Sequence, residues 1–219
     1  MGIAKNRGNG DIKTMNEVSF VKEPSVRKFT LLDCFCGKGG VSDGYAKEGF
    51  DILGIDIIDA PKLLGYKHRF MQANIMCLDG KDFKGFDVIW GSPECRDFTI
   101  LNDARWNKKK NPFIGLLTVK HFVQFCNDAQ PTFWIMENVK GLKEYLPFIP
   151  RMECNIGFKQ HVFYGNFPKF EMPKIHKFKI RESCGWDRLA HWKRSKIPLA
   201  CSRAFAKACK EKLLEIQTT

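Results

Sequence analysis

The chain contains the stretch Phe29-Thr30-Leu31-Leu32-Asp33-Cys34-Phe35-Cys36-Gly37-Lys38-Gly39-Gly40. It is mostly apolar up to Phe35 and then ends in a glycine cluster, a pattern typical of a buried strand that runs into a tight turn. Residues 41–48 suit a helix directly after this turn. Glycines at the start of a helix let backbone amides approach a ligand closely. The stretch therefore predicts a strand–turn–helix unit with a ligand at its turn.

Further short apolar runs follow this unit at spacings that leave room for helices. They predict strands at 51–56, 69–73, 86–90 and 132–136, with an apolar helix at 113–125. Short apolar strands separated by helical segments indicate a parallel sheet covered by helices on both faces. We therefore predict an α/β fold with a doubly wound, Rossmann-like sheet, in which ligands bind at the C-terminal ends of the strands.

The pattern weakens in the last third of the chain. Extended structure is expected at 159–167, and a last helix is expected to open at Pro198, because proline favours the first turn of a helix. We divide the chain into a flexible N-terminal arm at 1–28, a ligand-binding domain at 29–167 and a short basic extension with a C-terminal helix at 168–219.

The composition excludes several classes of protein. Of the 219 residues, 44% are hydrophobic, which is enough apolar material for a folded core and excludes a wholly disordered chain. No apolar run approaches the roughly 20 residues that a membrane span needs, and we expect no membrane contact. The nine cysteines are odd in number and include no Cys-x-x-Cys pair. This pattern favours free thiols in a reducing cytoplasm over disulfides or a structural metal.

The charge balance indicates an anionic partner. The formal net charge is +12, and residues 150–219 hold 15 of the 36 lysines and arginines but only 6 of the 24 acidic residues. A basic C-terminal third favours a polyanion as partner, and nucleic acid is the usual one. A solvated surface that keeps the protein soluble would have the same composition, so charge alone leaves both interpretations open.

Two features of the first half of the chain predict a nucleoside cofactor. Gly37 and Gly39 match the first two positions of the dinucleotide pattern Gly-x-Gly-x-x-Gly, but Ser42 stands at the third. Asp56 ends the second predicted strand 19 residues after Gly37, where a carboxylate can accept both hydroxyls of a ribose. These residues leave both a nicotinamide dinucleotide and another nucleoside cofactor open.

The ends of the fourth and fifth predicted strands carry the chemistry. The fourth is followed by Ser92-Pro93-Glu94-Cys95 and the fifth by Glu137-Asn138-Val139. Neighbouring strands of a doubly wound sheet end side by side, so Cys95 and Glu137 can face one pocket. Taken alone, Cys95 would be a small buried hydrophobic residue, as most cysteines are, and Glu137 would be a helix cap. Together, beside a nucleoside cofactor, a thiol and a carboxylate suit addition to a heteroaromatic ring.

A basic segment follows Cys95 and favours a nucleic-acid substrate. It runs Arg105-Trp106-Asn107-Lys108-Lys109-Lys110. Its cations can bind phosphates, while Trp106 can stack on a base. The alternative is an exposed charged loop, but its position after Cys95 favours contact with a nucleic acid.

Three motifs resemble those of the DNA cytosine-5 methyltransferase family, especially of its small phage-type and orphan members. Residues 33–40 resemble the family's first motif, where S-adenosylmethionine binds, residues 92–95 its Pro-Cys nucleophile motif, and residues 137–142 its Glu-Asn-Val motif. The motifs stand in family order within residues 29–145. The resemblance implies a class I methyltransferase fold, S-adenosylmethionine as the cofactor and DNA as the partner.

The resemblance also implies roles for individual residues. Cys95 would be the nucleophile, Glu137 would hold N3 of a flipped cytosine, and Asn138 would orient the nucleophile loop. The residues implied to hold the cofactor are Phe35, Gly37, Gly39, Gly40, Asp56, Ile57, Asn74 and Ile75. The residues implied to contact nucleic acid are Arg96, Arg105, Trp106, Lys108, Lys109, Lys110 and Lys159, the last as a substitute for the family's Arg-x-Arg motif.

The chain departs from the family pattern at Glu94, where a second proline is usual, at Arg96, where glutamine is usual, and at Asn74, where aspartate is usual. These departures keep open a catalytically degenerate methyltransferase scaffold that only binds nucleic acid. An RNA cytosine-5 methyltransferase is a further alternative, because contacts to the base do not distinguish RNA from DNA. We expect no metal, a monomer, and a cytoplasmic location in a bacterial, archaeal or phage-infected host cell. Residues 168–196 are expected to form a reduced target-recognition region.

Overall fold

The chain alternates strands and helices through most of its length. The computed structural model describes residues 27–98, 112–146, 151–156, 159–174 and 196–218. The strands are β1 (Thr30–Cys34), β2 (Asp51–Asp56), β3 (Arg69–Gln72), β4 (Val88–Gly91), β5 (Phe133–Val139), β6 (Arg151–Ile156) and β7 (Lys159–Asn166). The α-helices are α1 (Gly40–Lys47), α2 (Ala60–Leu64), α3 (Phe113–Ala129) and α4 (Leu199–Thr218). Short 3-10 helices lie at Ile75–Cys77, Gly80–Phe83, Arg96–Phe98 and Lys140–Glu144.

The strands form one sheet in the order β3-β2-β1-β4-β5-β7-β6. Strands β1 to β5 are parallel to their neighbours. The chain builds outward from β1 through β2 and β3, and then crosses to β4 on the other side of β1. This reversal of strand order confirms the predicted doubly wound α/β fold. It also defines a crevice at the C-terminal ends of β1 and β4, the usual ligand site of such sheets.

One edge of the sheet is antiparallel, whereas the five strands predicted from apolar runs are parallel. Strand β7 is antiparallel to β5, and β6 is antiparallel to β7. Only two residues connect the end of β6 at Ile156 to the start of β7 at Lys159. A connection this short joins antiparallel strands, because a parallel pair needs a long crossover.

Several predicted boundaries also differ from the structure. Strand β6 and helix α2 were not predicted, and α3 extends four residues beyond the predicted end at residue 125. Strand β5 continues to Val139 instead of ending at residue 136, so Glu137 and Asn138 lie within the strand. This places their side chains on opposite faces of the sheet, since successive residues of a strand alternate.

The core consists of two apolar layers, one on each face of the sheet. Leu31 of β1 belongs to the layer formed with α1 and α4, whereas Leu32 belongs to the layer formed with α3. Trp90 of β4 packs edge-on against Phe205 of α4, with ring centroids 4.9 Å apart. Burial of these side chains on both faces explains why the central strands are near-continuous apolar runs.

The last helix, α4, is integral to this core. Ser202 donates from Oγ to the carbonyl oxygen of Gly40, 2.9 Å away, at the start of α1. Farther along α1, a Cβ added to Gly44 would lie 2.1 Å from Ser202 Oγ. The two helices therefore approach so closely that only glycine fits at this crossing. The approach brings Ser202, 162 positions away in the sequence from Gly40, to the turn that follows β1.

Candidate active site

The turn after β1 has an unusual backbone. Phe35, Gly37 and Gly39 have φ angles of 61°, 49° and 74°. This left-handed region suits glycine, but a bulky residue such as Phe35 rarely adopts it. Gly39 then precedes α1 as its N-cap. Such strain is often found at functional sites, and here it turns the chain sharply between β1 and α1.

A buried hydrogen-bond network lies beneath this turn. Asp33 is 2% exposed, and its Oδ2 accepts from the backbone amide and the hydroxyl of Ser42, at 3.1 and 2.5 Å. The Ser42 hydroxyl also lies 2.8 Å from the hydroxyl of Tyr66. Burial raises the pKa of Asp33 to about 7, and the Ser42 hydrogen bonds offset only part of this effect.

The network predicts a dependence of stability on pH. Between about pH 4 and 7 the folded state retains the Asp33 proton, whereas the unfolded chain has lost it. The contribution of Asp33 to the free energy of unfolding is therefore present in full below pH 4. It is lost as the pH rises toward 7, by on the order of 4 kcal/mol at most.

We expect Asp33→Asn to remove this part of the pH dependence, since asparagine does not titrate. Urea unfolding of both proteins between pH 4.5 and 7.5 measures it. Stability should decline more steeply with rising pH in the wild type than in the variant. If the free energy of unfolding changed with pH in the same way in both proteins, Asp33 would be ionised in the folded protein.

Asp56 lies beside the turn at the C-terminal end of β2. Its Oδ2 accepts from the amide of Gly37 at 2.9 Å, and its Oδ1 accepts from the amide of Ile58 at 3.2 Å. Burial raises the pKa of Asp56, and these backbone donors oppose the increase. The structure thus places Gly37 next to Asp56, the two residues whose spacing in the sequence suggested a nucleoside site. The neighbouring Ile57 is 63% exposed, an unusual position for a large apolar side chain.

The other predicted cofactor residues lie near this edge in different environments. Phe35 packs its ring against Phe122 of α3, at a centroid distance of 6.2 Å. Asn74 caps the following 3-10 helix, with its side-chain oxygen 3.0 Å from the amide of Met76. Ile75 is 4% exposed and belongs to the core layer beneath α3. Asn74 therefore has a structural role that does not depend on a ligand.

The segment after β4 is attached to the end of β5. Asn138 is fully buried, and its Nδ2 donates to the carbonyl oxygen of Pro93 at 3.2 Å. Its Oδ1 accepts from the amide of Val139 at 2.9 Å. Cys95, two residues after Pro93, is half-buried. The Asn138 side chain therefore couples the backbone that carries Cys95 to the strand that carries Glu137.

The two charged residues beside Cys95 pair with each other. Arg96 Nη2 lies 3.0 Å from Glu94 Oε2, and both side chains are largely exposed. The Arg96 amide also donates to Glu94 Oε1 at 3.1 Å. An exposed pair contributes little to stability. Glu94 and Arg96, the two residues that depart from the family pattern here, nevertheless neutralise each other's charge next to the Cys95 thiol.

Gly141 fixes the other end of the same segment. A Cβ added to Gly141 would lie 2.1 Å from the carbonyl oxygen of Phe98. The amide of Phe98 in turn donates to the carbonyl oxygen of Cys95 at 3.1 Å. The 3-10 helix after Cys95 therefore rests directly on the backbone at Gly141.

We expect Gly141→Ala to lower the free energy of unfolding by roughly 1–3 kcal/mol, because the methyl group cannot be accommodated without a backbone shift. Chemical denaturation measures the effect, with Lys140→Ala as the matched control because Lys140 is exposed. Equal free energies of unfolding for the two variants would show that the backbone at Phe98 can move away from the added methyl group without loss of stability.

Glu137 has a partner that the sequence did not indicate. Its Oε1 lies 2.7 Å from Nδ1 of His161 on β7, and each side chain is 13% exposed. Val139 pairs directly with His161 in the β5–β7 register. Because alternate residues share a face, Glu137 and His161 lie on the same face of the sheet. Only the strand pairing brings them together, and no local pattern at residue 161 marks it.

Sequence analysis also missed the residues that α4 brings to the first turn. A Cβ added to Gly40 would lie 2.6 Å from the carbonyl oxygen of Ile197. Lys196 Nζ bonds Asp43 Oδ2 of α1 at 2.8 Å. The small residues of α1, Gly40 and Gly44, are the signal that a close partner helix was needed.

Part of the predicted nucleic-acid surface lies outside the described residues, namely Arg105, Trp106, Lys108, Lys109 and Lys110. The backbone of Lys159 begins β7. Within the described ranges, no group of three or more His, Cys, Asp or Glu side chains is arranged to hold a metal ion. Nor does any helix in that part of the chain have the length and apolar character to span a membrane.

Residues 29–146, more than half of the chain, match the family model for C-5 cytosine-specific DNA methylases. One similar protein is the type II methyltransferase M.XorII of Xanthomonas oryzae, 26% identical over 51% of this chain and 28% of its own length. Another is the putative type II methyltransferase M.MJ0563P of Methanocaldococcus jannaschii, 29% identical over 69% of this chain and 56% of its own length. The chain thus spans from about a quarter to just over half of these relatives. Among solved structures, the Entamoeba histolytica methyltransferase EhMeth covers 70% of this chain at 18% identity, with a TM-score of 0.49.

Proposed function

The chain belongs to the C-5 cytosine-specific DNA methylase family, and on this premise we propose that it transfers a methyl group from S-adenosylmethionine to C5 of a cytosine in DNA. The observation that carries the proposal is the buried hydrogen bond from Asn138 to the Pro93 carbonyl oxygen. This bond ties the segment that holds Cys95 to the strand that holds Glu137. A nucleophile and a proton donor are thereby supported by one rigid connection at the ends of β4 and β5.

The turn after β1 and the end of β2 suit S-adenosylmethionine. Asp56 offers a carboxylate to the ribose hydroxyls, because each of its oxygens retains a second lone pair beyond its backbone donor. Ile57 offers an exposed apolar surface to the adenine ring. The left-handed backbone at Gly37 and Gly39 shapes the turn beside Asp56, where the methionine portion would lie. The cofactor supplies an electrophilic methyl group, which lies beyond the chemistry of protein side chains.

Cys95 and Glu137 make cytosine C5 reactive enough to accept that methyl group. The Cys95 thiolate adds to C6, and the C5–C6 π electrons become available at C5. Glu137 donates a proton to N3 and so removes the negative charge that the addition would leave on the ring. After methylation, water takes the C5 proton, and the C5–H electron pair re-forms the C5–C6 double bond as the C6–S bond breaks. N3 returns its proton to the Glu137 carboxylate, so the thiolate, the carboxylic acid and the neutral aromatic ring are all restored. Covalent addition of this kind divides one difficult step into easier ones.

The target carbon lies inside a base-paired stack, so the cytosine must be flipped out or already unpaired. The formal net charge of +12 supports binding to the phosphate backbone. We assign this contact to Arg96, to Lys159 and to the segment 105–110. The assignment predicts strong salt dependence of binding, since each neutralised phosphate releases counterions.

Two measurements test the proposed function. The first is calorimetry with S-adenosylmethionine, where the expected result is binding of one cofactor per chain. The second is incubation with S-adenosylmethionine and oligonucleotides that contain 5-fluorocytosine, as DNA and as RNA of the same sequence. Fluorine cannot leave C5 as a proton does, so the Cys95 adduct should persist on the DNA and survive denaturing electrophoresis.

Each outcome of these measurements has a defined meaning. Trapping on RNA alone would replace DNA by RNA as the substrate. Cofactor binding without trapping on either polymer, together with no methyl transfer, would support the degenerate scaffold and overturn the proposed activity. An absence of cofactor binding would overturn both.

A further inference from the structure

Glu137 and His161 make a largely buried contact at the proposed site. His161 Nδ1 lies 2.7 Å from Glu137 Oε1, and the two side chains are each 13% exposed. Among the described residues, no lysine or arginine pairs with Glu137, and none bonds to Nε2 of His161. The imidazole is therefore the group that holds one oxygen of the carboxyl in place.

We infer that His161 is a positioning residue that directs the proton of Glu137 toward N3 of the cytosine. The inference rests on the proposed function. A neutral imidazole with hydrogen on Nδ1 donates to Oε1 and occupies that oxygen. The carboxyl proton must then reside on Oε2, the oxygen left to face the base. When the Oε2–H bond breaks and N3–H forms, Oε2 keeps the electron pair and the carboxylate remains bonded to Nδ1–H.

This arrangement favours the transition state over the ground state. A hydrogen bond to a carboxylate is roughly twice as strong as a bond between neutral partners. The Nδ1–H bond to Oε1 therefore strengthens as the proton leaves Oε2 and negative charge develops. Interactions that strengthen in the transition state raise kcat, whereas uniform binding does not.

Among the described residues, the titratable groups found beside the pair are thiols. Cys154 of β6 pairs directly with His161 in the strand register, and its pKa is raised to about 11 by burial and, second, by the charge of Glu137. Burial also raises the pKa of Cys201 on α4, with smaller effects from Cys154 and Glu137. Both thiols are neutral near pH 7. Neither thiol therefore adds a charge beside Glu137 and His161 near neutral pH.

The pair should show coupled titration. A single proton shared by Glu137 and His161 can sit on the imidazole as well as on the carboxyl. The population of protonated Glu137 therefore levels off as the pH falls and the pair takes up its first proton. In His161→Asn the amide still donates to Oε1 but cannot take a proton, so protonated Glu137 continues to accumulate at lower pH.

The test compares single-turnover methyl transfer by the wild type, His161→Ala and His161→Asn between pH 5.5 and 8.5. We expect His161→Ala to lower the rate by roughly 10- to 100-fold, with unchanged affinity for S-adenosylmethionine. His161→Asn should recover most of the rate at neutral pH. The ratio of the His161→Asn rate to the wild-type rate should rise as the pH falls. Ionisation of Cys95 does not affect this ratio, because both proteins contain the same thiol. Gln160→Ala serves as the matched control because Gln160 is the exposed neighbour on β7.

A purely structural role for His161 would leave the pH dependence of the ratio flat, and that result would overturn the inference. Wild-type rates in His161→Ala would also overturn it while leaving the proposed function intact. If the wild type forms no adduct with 5-fluorocytosine and transfers no methyl group, the proposed function and this inference fail together.

Discussion

Cys95→Ala is expected to abolish methyl transfer while cofactor affinity stays largely unchanged. The methyl group of alanine cannot add to C6, so C5 of the cytosine remains too weak a nucleophile to react. The residues assigned to the cofactor lie after β1 and β2, whereas Cys95 lies in the segment after β4. Loss of the sulfur therefore removes the reaction without removing the cofactor site.

Incorporation of a radiolabelled methyl group into DNA, together with calorimetry of cofactor binding, measures this separation. Cys77→Ala is the matched control, because Cys77 is an exposed cysteine at the end of a 3-10 helix. The control should retain both transfer and trapping on 5-fluorocytosine. Transfer by Cys95→Ala at the rate of the control would remove Cys95 from the mechanism.

Glu137→Gln is expected to slow methyl transfer by a factor of about 10²–10⁴, the usual contribution of a positioned acid. Glutamine preserves the shape of the side chain, and its amide oxygen can still accept from His161. The amide has no proton to give to N3, so addition at C6 leaves negative charge on the ring. The variant isolates proton donation from packing.

Single-turnover kinetics on a cytosine-containing duplex give this rate directly. The matched control is Glu153→Gln, which changes a carboxylate paired with Lys143 at the surface of β6. We expect the control to transfer methyl groups at the wild-type rate. A wild-type rate in Glu137→Gln would exclude the carboxyl as the proton donor. It would also leave His161 with nothing to position.

Local sequence was sufficient to predict the central strands of the sheet. Each of β1, β2, β4 and β5 is buried on both faces, so its residues form a short apolar run that is visible without knowledge of its neighbours. The polar residues that interrupt these runs at strand ends, such as Asp56 and Glu137, stand out for the same reason. The doubly wound fold and the order of the motifs follow from this contrast.

Strand β6 shows where local sequence fails. It lies at the sheet edge, and of its apolar residues Met152, Cys154 and Ile156, only Ile156 is buried. Its polar positions match those of an exposed loop as well as those of an edge strand. The pairing with β7 decides between them, and pairing depends on residues elsewhere in the chain.

The residue pattern was enough to predict the α/β class, the glycine turn after β1, and a thiol and a carboxyl near adjacent strand ends. Three contacts became visible only in the folded chain, namely Asn138 with the backbone of Pro93, His161 with Glu137, and α4 with the first turn. The difference is physical. Strand and helix patterns arise from the burial of residues that are close in sequence. The three contacts join positions from 24 to 162 residues apart, so they form only when the strands pair in register and α4 packs on the sheet.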